Sequence, residues 1–501
     1  MVIVVATPGE AIPLIASEPD GAVIEVVCLA DGSATEYRAL ESAMAGAARR
    51  GCRFSGEPFV LDAGAGNITG QILDVLHETG PVRVRTLDPD PAHDSFDTER
   101  KLPIVNEPAA RGRAARSALR AARRYQLDVG TPVFVDCRRA GSDAALPPES
   151  AARYPMPAKW LVSGKDGRLS AYLPTAAGVV RWTEGRTEAE PWSGPELLGG
   201  PELMPGLNVL QGPDGYAYLI GLSRTKRKEG GADIEVVCAA QYQTGRPLGP
   251  WVPLGNPHAP NWQVARSVGF PAAAFSGDGF MHVFVRNFGH GVSVRKQSPK
   301  GALSRWDALR GQKVADEMTA FAAPDGGVHL VARARDADAA VHWYLGDPAS
   351  AWQEDSRIPV SLRPGSLSAA PESGLVRFRY SMTNEVCVWW PGAHAPIGLG
   401  GPDGDGPVTG VAGADIQGWG CTVLVRGGHG GVPSIGAHPD GRPDTGVWWS
   451  ESGERSIVPP AAAFDARGRV VIVTVGMDGR LRVARQQLGS DGLEFTPWSV
   501  L

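Results

Sequence analysis

The stretch at residues 276–297, SGDGFMHVFVRNFGHGVSVRKQ, decides the fold of this 501-residue chain. Apolar residues occupy every second position of its segment 280–286, a period of two that predicts a half-buried strand. Asp278-Gly279 before this segment and the glycines of FGHG behind it are residue types that adopt positive φ in tight turns. The stretch therefore predicts a turn, a strand, a Gly-rich turn and a second strand.

Related units recur along the chain at steps of 44 to 64 residues. Their turn glycines are Gly167, Gly215, Gly279, Gly326, Gly374, Gly418 and Gly468. A repeat of about 50 residues that holds several short strands is typical of a propeller blade. We therefore predict an all-β, seven-bladed propeller over residues 158–501, with these glycines on one rim. The longest step contains the polar segment 225–233, which predicts an extended hairpin tip. The first copy begins with a strand at 159–163 and the last ends at 495–501, so both ends could pair to close the ring.

Tryptophan and histidine residues supply the candidate binding residues of this region. All 14 tryptophans lie at or after Trp160, and several fall late in a copy, such as Trp192, Trp251 and Trp306. These rings either cover blade faces as structural core or line pockets that stack sugar rings. His290 and His429 occupy equivalent Gly-rich turns of two copies, where a turn role and contact with a ligand are the two alternatives.

The repeated pattern of Asp-Gly, a strand ending in V-F-V-R, a Gly turn, a second strand and W-x-x-L-G resembles the seven-bladed bacterial lectin propellers of the Photorhabdus-lectin type. The copy at 277–295 carries the resemblance best, and the copies at 418–426 and 326–333 carry it more loosely. It covers about two-thirds of the chain. The resemblance implies a carbohydrate-binding propeller, although propellers also host enzymes and scaffolds.

Composition and charge limit the partners. A net charge of −5 gives no reason to expect nucleic acid or an anionic membrane surface as a partner. No apolar run approaches the roughly 20 residues of a transmembrane helix. The six cysteines are far apart and lie mostly in apolar runs, which predicts buried thiols in a reducing compartment. Because the first residues, MVIVVATPGE, lack the features of a secretion signal, we expect a cytoplasmic protein.

The first 140 residues follow a different pattern. Continuous apolar runs at 2–6 and 23–29 predict buried strands, and further strands are predicted at 83–87 and 133–137. Helical spacing occurs at 36–50, 68–78 and 109–124. This alternation predicts an open, mainly parallel α/β sheet over residues 1–140, joined to the propeller by a linker at 141–157. Ligands of such sheets bind at the carboxyl ends of the strands.

Four segments at these strand ends resemble the PIG-L/LmbE-type N-deacetylases. They are VIVVATPGEA at 2–11, VVCLADGSATEYRALESAMAGAARRGC at 26–52, VRTLDPDP at 84–91 and NEPAARGRAARSALRAA at 106–122. The resemblance implies the fold of a zinc-dependent N-deacetylase. It places Thr7 and about Pro108 at the two zinc-binding histidines, Glu10 at the zinc-binding aspartate and Gly9 at the general base.

These substitutions remove the chemistry of the family. A catalytic zinc needs about three N, O or S side-chain ligands, and its bound water needs a nearby base. We therefore predict a pseudo-deacetylase with no metal, no other cofactor and no confident catalytic residue. The pocket at the strand ends is expected to persist. Its candidate ligand-binding residues are Glu10, Asp31, Asp88, Asp90, His93 and Asp94.

Binding of a carbohydrate or a glycosylated small molecule is the favoured function. The alternative is an enzyme, either an N-deacetylase with substitute ligands or a repurposed domain that tailors a glycosylated metabolite. A SAM-dependent methyltransferase is less favoured: VLDAGAGNITG at 60–70 resembles its first motif and Asp88 could bind ribose, but Ile68 replaces the third close glycine. A pure interaction scaffold is the remaining hypothesis.

Overall fold

The computed structural model describes the chain except residues 31, 62–65, 91–92, 98, 100–101, 106–108, 139–153, 156, 189, 338, 347–350, 359, 371–373, 402 and 405. It describes only the backbone of 93–97, 102–105, 356–358 and 429. Most of the predicted linker thus lies outside the described residues, and the domain boundaries stay predictions.

The N-terminal region is the predicted open parallel sheet. Its strands are β1 (Val2–Val5), β2 (Val23–Cys28), β3 (Arg53–Phe54), β4 (Phe59–Val60), β5 (Arg83–Leu87) and β8 (Phe134–Arg138). The order is β3-β2-β1-β5-β8, β4 also pairs with β2, and every pairing is parallel. Its helices are α1 (Ile12–Ala16), α2 (Ala34–Arg49), α3 (Ile68–Thr79) and α4 (Ala109–Val129). A short hairpin joins β6 (His93–Asp97) to β7 (Leu102–Val105).

Helices cover the two faces of this sheet unequally. Val2 and Val4 pack into one core with α3 and α4, while Ile3 and Val5 pack into a second core with α1 and α2. On the second face, β5 and β8 carry Arg83, Arg85, Asp136 and Arg138, a charged surface rather than an apolar one. The strand order reverses between β1 and β5, which places the expected ligand crevice at the carboxyl ends of these two strands.

The remaining chain forms seven four-stranded antiparallel sheets, so the predicted seven-bladed propeller is confirmed. Blades 1 to 3 consist of β9 (Leu161–Ser163), β10 (Leu169–Thr175), β11 (Gly178–Thr183) and β12 (Ser193–Leu198); β13 (Asn208–Gln211), β14 (Ala217–Lys226), β15 (Ala232–Ala240) and β16 (Val252–Gly255); and β17 (Ala272–Phe275), β18 (Met281–Arg286), β19 (Val292–Lys296) and β20 (Asp307–Ala308). A short helix, α5 (Trp262–Ala265), lies between blades 2 and 3.

Blades 4 to 7 have the same order. They consist of β21 (Val314–Ala322), β22 (Val328–Ala334), β23 (Ala340–Leu345) and β24 (Gln353–Ile358); β25 (Ser368–Ala370), β26 (Leu375–Arg379), β27 (Val386–Trp389) and β28 (Ile397–Gly400); β29 (Val408–Ile416), β30 (Trp419–Gly427), β31 (Pro433–Pro439) and β32 (Trp448–Glu451); and β33 (Ala461–Phe464), β34 (Val470–Val475), β35 (Leu481–Arg485) and β36 (Ser499–Val500). The first strand of each blade contacts the first strands of its two neighbours, which arranges these strands around the ring.

The seven repeat glycines occupy equivalent places. Each lies in the turn between the first and second strand of its blade, with φ between +65° and +87°. Side chains other than glycine rarely adopt this φ, which explains why the turn marks the repeat. The polar segment 225–233 forms the tip of the long β14–β15 hairpin, as predicted, with Lys226 paired to Ala232.

The expected pairing of both chain ends is wrong. Strand β9 pairs with β10 and strand β36 pairs with β35, so blades 1 and 7 are each complete by themselves. Side chains close the ring instead: the Trp160 indole donates to the carbonyl of Pro459 at 3.0 Å, and Arg485 lies 2.6 Å from Glu184. A core shared by blades 1 and 7 fills the seam.

The N-terminal domain packs on the rim opposite the repeat glycines, where second and third strands turn. The Ala176 amide, in the β10–β11 turn, donates to the Val133 carbonyl at 2.8 Å, and Gln126 of α4 donates to Thr175 at 2.9 Å.

All six cysteines are buried free thiols, as expected. Within the described ranges, no helix is long and apolar enough to cross a membrane.

Candidate functional site

The carboxyl end of β1 carries Thr7, Gly9 and Glu10, the positions where the family resemblance places metal ligands and a base. Both oxygens of Glu10 are engaged: one lies 2.8 Å from the Arg111 guanidinium, and the other accepts the Ala6 amide at 2.9 Å. A side chain at Gly9 would begin 3.0 Å from a carboxylate oxygen of Glu36. This edge of the sheet therefore satisfies its own polar groups.

Glu36 takes up the space that a catalytic base would need. It closes a capping box with Ser33 at the start of α2, and hydrogen bonds from the Ser33 amide and then the Thr7 side chain lower the pKa of Glu36. Among the described residues, no three His, Cys, Asp or Glu side chains come together as a metal site. The described residues at this edge thus do not fit a catalytic zinc.

The other predicted pocket residues are only partly described. Asp88 and Asp90 are buried next to each other, and the Asp90 amide donates to the Asp88 carboxylate at 2.9 Å. The carboxylate of Asp88, the proposed ribose ligand of a methyltransferase, is thus used within its own loop. Asp31 and Pro108 lie outside the described residues, as do the side chains of His93 and Asp94. The absence of zinc or another cofactor therefore stays a prediction.

The late tryptophans of the blades join neighbouring blades. The indole of Trp251 in blade 2 donates to the Gly199 carbonyl of blade 1 at 3.0 Å, and that of Trp449 in blade 6 donates to the Leu399 carbonyl of blade 5 at 2.9 Å. A side chain at Gly200 would meet the Trp251 ring at 2.5 Å, so this glycine, the second one after Leu198, leaves room for the next blade's indole. This arrangement favours the structural interpretation of Trp251.

Trp192 and Trp306 are similarly half-buried. Trp192 packs against the core of the blade 1–blade 7 seam, and Trp306 packs beside Arg295, whose guanidinium lies 5.7 Å from the ring centre. His290 and His429 lie in equivalent turns between second and third strands. His290 has a φ of +62°, which agrees with a turn role, and the side chain of His429 is outside the described part of the chain.

A cavity of about 600 Å³ lies between the N-terminal domain and the propeller rim. Thirty described residues line it, and ten of them carry a charge. The charged residues are Glu18, Asp20, Arg50, Arg83 and Arg138 from the N-terminal domain, and Asp316, Glu317, Arg333, Arg363 and Asp403 from the propeller. None of the described lining residues is aromatic.

The domain side of the cavity is a buried ionic network. Asp136 accepts from Arg85 at 2.9 Å, from Arg138 at 3.0 Å and from Arg83 at 3.2 Å. Burial would raise the pKa of Asp136, but these three guanidinium groups outweigh it and hold that pKa well below the usual range. Glu18 pairs with Arg85 and Arg83 in the same network. This wall is therefore charged and fixed.

The propeller side is formed by loops that lead into the first strands and by turns between second and third strands. Glu317, at the start of blade 4, accepts the amides of Leu367 at 2.7 Å and Gly365 at 2.9 Å. Burial raises the pKa of Glu317, whereas Arg333 and these amides act in the opposite direction. The described lining also includes seven glycines: Gly365, Gly404, Gly406, Gly427, Gly428, Gly430 and Gly431.

Sequence analysis missed this cavity, although two signals pointed to it. The strands RVRTL at Arg83–Leu87 and FVDCR at Phe134–Arg138 alternate charged residues within a buried pattern, which indicates a polar face on an otherwise apolar sheet. In addition, Arg286, Arg333, Arg379 and Arg426 end or nearly end the second strands of four successive blades, next to the rim that faces the domain.

No protein-family model and no curated protein matches the chain. Solved structures align with parts of it. AofleA from Arthrobotrys oligospora aligns at 10% identity with a TM-score of 0.37, over 62% of this chain and 91% of that one. The SapL1 lectin in complex with alpha methyl fucoside aligns at 14% identity with a TM-score of 0.35, over 59% and 94%. A putative 6-phosphogluconolactonase from Bacteroides uniformis aligns at 15% identity with a TM-score of 0.42, over 67% and 97%. At this level of similarity, no function follows from these alignments.

Proposed function

We propose that this protein binds a carbohydrate or a glycosylated small molecule in the cavity between its two domains, and that the PIG-L-like domain is a non-catalytic wall of that site. The observation that carries the proposal is the lining of the cavity. Ten charged side chains and seven glycines stand among its thirty lining residues.

This lining suits a ligand with many hydroxyl groups. A sugar presents donors and acceptors on most of its surface; guanidinium groups donate to such a ligand and carboxylates accept from it. An apolar ligand would remove water from these charged groups without offering them hydrogen bonds, which costs free energy. A site without aromatic rings would recognise the sugar by its hydroxyl groups rather than by stacking.

The N-terminal domain contributes binding groups and no hydrolysis in this proposal. Glu10 is bound to Arg111, and Gly9 offers no base, so the strand-end edge lacks a zinc site among its described residues. The domain instead presents Arg50, Arg83 and Arg138 to the cavity.

Isothermal titration of the full chain against a panel of neutral, amino and acidic saccharides tests the proposal. We expect one site per chain, and Arg333→Ala should weaken binding at least about tenfold, or about 1.4 kcal/mol, because Arg333 faces the ligand. The matched control is Arg442→Ala, an exposed arginine paired with Asp444 in the β31–β32 loop on the far rim, which should leave binding unchanged. Absence of binding across the panel, or equal affinity of Arg333→Ala and the wild type, would contradict the proposal.

A further inference from the structure

Three arginines are buried in the interface between blades 5 and 6. Arg377 and Arg379 of β26 and Arg426 of β30 are each at most 1% exposed. Phe378 packs against blade 4, so its neighbours in the strand point the other way, toward blade 6. Leu424 packs against blade 5, and Arg426, two residues further along β30, shares that face. Arg379 and Arg426 therefore face each other across one interface.

Among the described residues, no carboxylate contacts Arg426. All three of its guanidinium nitrogens are buried without a hydrogen-bond partner in that part of the chain. The guanidinium carbon lies 5.2 Å from the centre of the Trp449 ring, and the carboxylate of Asp403 acts on Arg426 through its charge without contact. Burial lowers the pKa of Arg426 to about 10, with Asp403 acting in the opposite direction, so the group still carries its charge at neutral pH. An unpaired buried cation strongly destabilises a folded protein.

Ser434 adds a second unsatisfied donor at the same place. It lies directly opposite Arg426 in the β30–β31 ladder, is 0% exposed, and its hydroxyl has no hydrogen-bond partner among the described residues. Residues directly opposite in a ladder present their side chains on one face, about 5 Å apart. Two donors without acceptors thus converge on the interface that Arg379 enters from the other side.

Blade 3 shows how another buried arginine near the end of a second strand is satisfied. Arg286 ends β18 and faces the next blade, whereas Arg426 faces the preceding one, and Arg286 lies 2.5 Å from the Asp316 carboxylate of blade 4. Its remaining nitrogens donate to the Ser267 carbonyl at 2.8 Å and the Asn287 carbonyl at 3.1 Å. Among the described residues, Arg426 contacts no such carboxylate or carbonyl.

We propose that the interface of blades 5 and 6 is an anion site, in which Arg426 and Ser434, facing Arg379, bind an oxyanion such as phosphate, sulfate or a carboxylate. A guanidinium binds such a group through two parallel N–H donors, and the serine hydroxyl supplies another. The site adjoins the interdomain cavity, because a Cβ on the cavity-lining Gly428 would lie 2.8 Å from the Ser434 hydroxyl. This site stands whether or not the cavity binds a sugar.

Thermal unfolding of the full chain in chloride buffer, with sodium phosphate or sulfate added at constant ionic strength, tests the site. A ligand that binds only the folded state raises Tm with concentration, and we expect a rise of about 2–4 °C. Arg426→Met should abolish this rise without lowering Tm in chloride, because an apolar side chain of similar length removes the unpaired charge. Arg286→Met is the matched control. It should lower Tm, because it leaves the buried Asp316 carboxylate without its arginine partner, but it should keep the phosphate-dependent rise in Tm.

Two results would overturn the site: no rise with either anion in the wild type, or the same rise in Arg426→Met. If Arg426→Met does not fold, Arg426→Lys and Ser434→Ala replace it, and each should reduce the rise; an unchanged rise in both counts against the site.

Titration with glucuronate and glucose separates the two sources of the anion. Weaker glucuronate binding in Arg426→Met, with glucose unaffected, assigns the site to the acid group of a cavity ligand. A phosphate effect without saccharide binding supports a free inorganic anion and leaves only the cavity proposal contradicted.

Discussion

The two domains bury charge in different ways. The N-terminal domain joins five buried or nearly buried ionic groups in one network, in which Glu18 and Asp136 pair with Arg83, Arg85 and Arg138. The propeller instead places single groups between blades, and its buried histidines and arginines differ in how well they are satisfied. A complete network indicates a structural role, whereas an isolated group with missing partners indicates a place where a ligand or a proton acts.

The largest effect is expected where this ionic network is broken. Asp136→Asn removes the charge that three buried guanidinium groups share, so we expect the free energy of unfolding to fall by about 3–5 kcal/mol in urea denaturation. Asp444→Asn is the control, because its exposed ion pair with Arg442 should contribute nothing measurable. Equal, small effects of both substitutions would mean that the network does not stabilise the domain.

The next largest effect is expected in acid, where the stabilities of the two domains should depend differently on pH. Burial, followed by Lys296 for one and His329 for the other, lowers the pKa of His282 to about 4 and that of His342 to about 4. Their ordinary pKa is about 6.5, so between these values the unfolded chain binds more protons and stability falls as pH falls. Each histidine should contribute about 1–3 kcal/mol to this loss. The lowered pKa of Asp136 instead preserves its contribution until pH falls below about 4.

Urea denaturation at pH 7 and pH 5, followed by tryptophan fluorescence, measures this effect. All 14 tryptophans belong to the propeller region, so the signal reports that region. The double substitution His282→Gln with His342→Gln should flatten the pH dependence, and His77→Gln, at a half-exposed position of α3, should not. A pH dependence that survives the double substitution would show that other groups cause it.

A smaller effect is expected from the indole contacts between blades. Trp251→Phe keeps most of the ring but loses the hydrogen bond to the Gly199 carbonyl, which should cost about 1 kcal/mol of unfolding free energy. Trp448→Phe is the control, since Trp448 is 93% exposed. Loss of saccharide binding in Trp251→Phe without loss of stability would reverse this assignment and favour a stacking role.

The smallest effect is expected in the zinc content of the purified protein. Because Glu10 is held by Arg111 and the Ala6 amide, we expect elemental analysis after dialysis to find no stoichiometric zinc in the wild type or in Glu10→Gln. About one equivalent of zinc in the wild type that Glu10→Gln removes, together with acetate release from an N-acetylated sugar, would restore the deacetylase hypothesis.

Local signals in the sequence predicted most of the fold. Each blade turn requires positive φ, which places a glycine such as Gly279 at a fixed point of the repeat, and a parallel strand with apolar packing on both faces, such as VIVV at Val2–Val5, is a continuous apolar run. The cavity could not be predicted in the same way. Asp316 pairs with Arg286 of the preceding blade, and Glu18 meets Arg85 only after the sheet has formed. Such pairings depend on tertiary structure, and the acceptor of the Trp251 indole is a backbone carbonyl that has no sequence signature.

The seam between blades 1 and 7 gives the N-terminal domain a mechanical role. No strand crosses this seam, yet Phe134 of β8 lies in the core that both blades share, and the domain touches blade 1 at Ala176 and blade 7 at Gly479. The two ends of the ring meet only through side chains. Under a pulling force we therefore expect the ring to open at this joint before the strand hydrogen bonds within any blade break. The domain bridges the joint, so its docking adds to the side-chain contacts that hold blades 1 and 7 together.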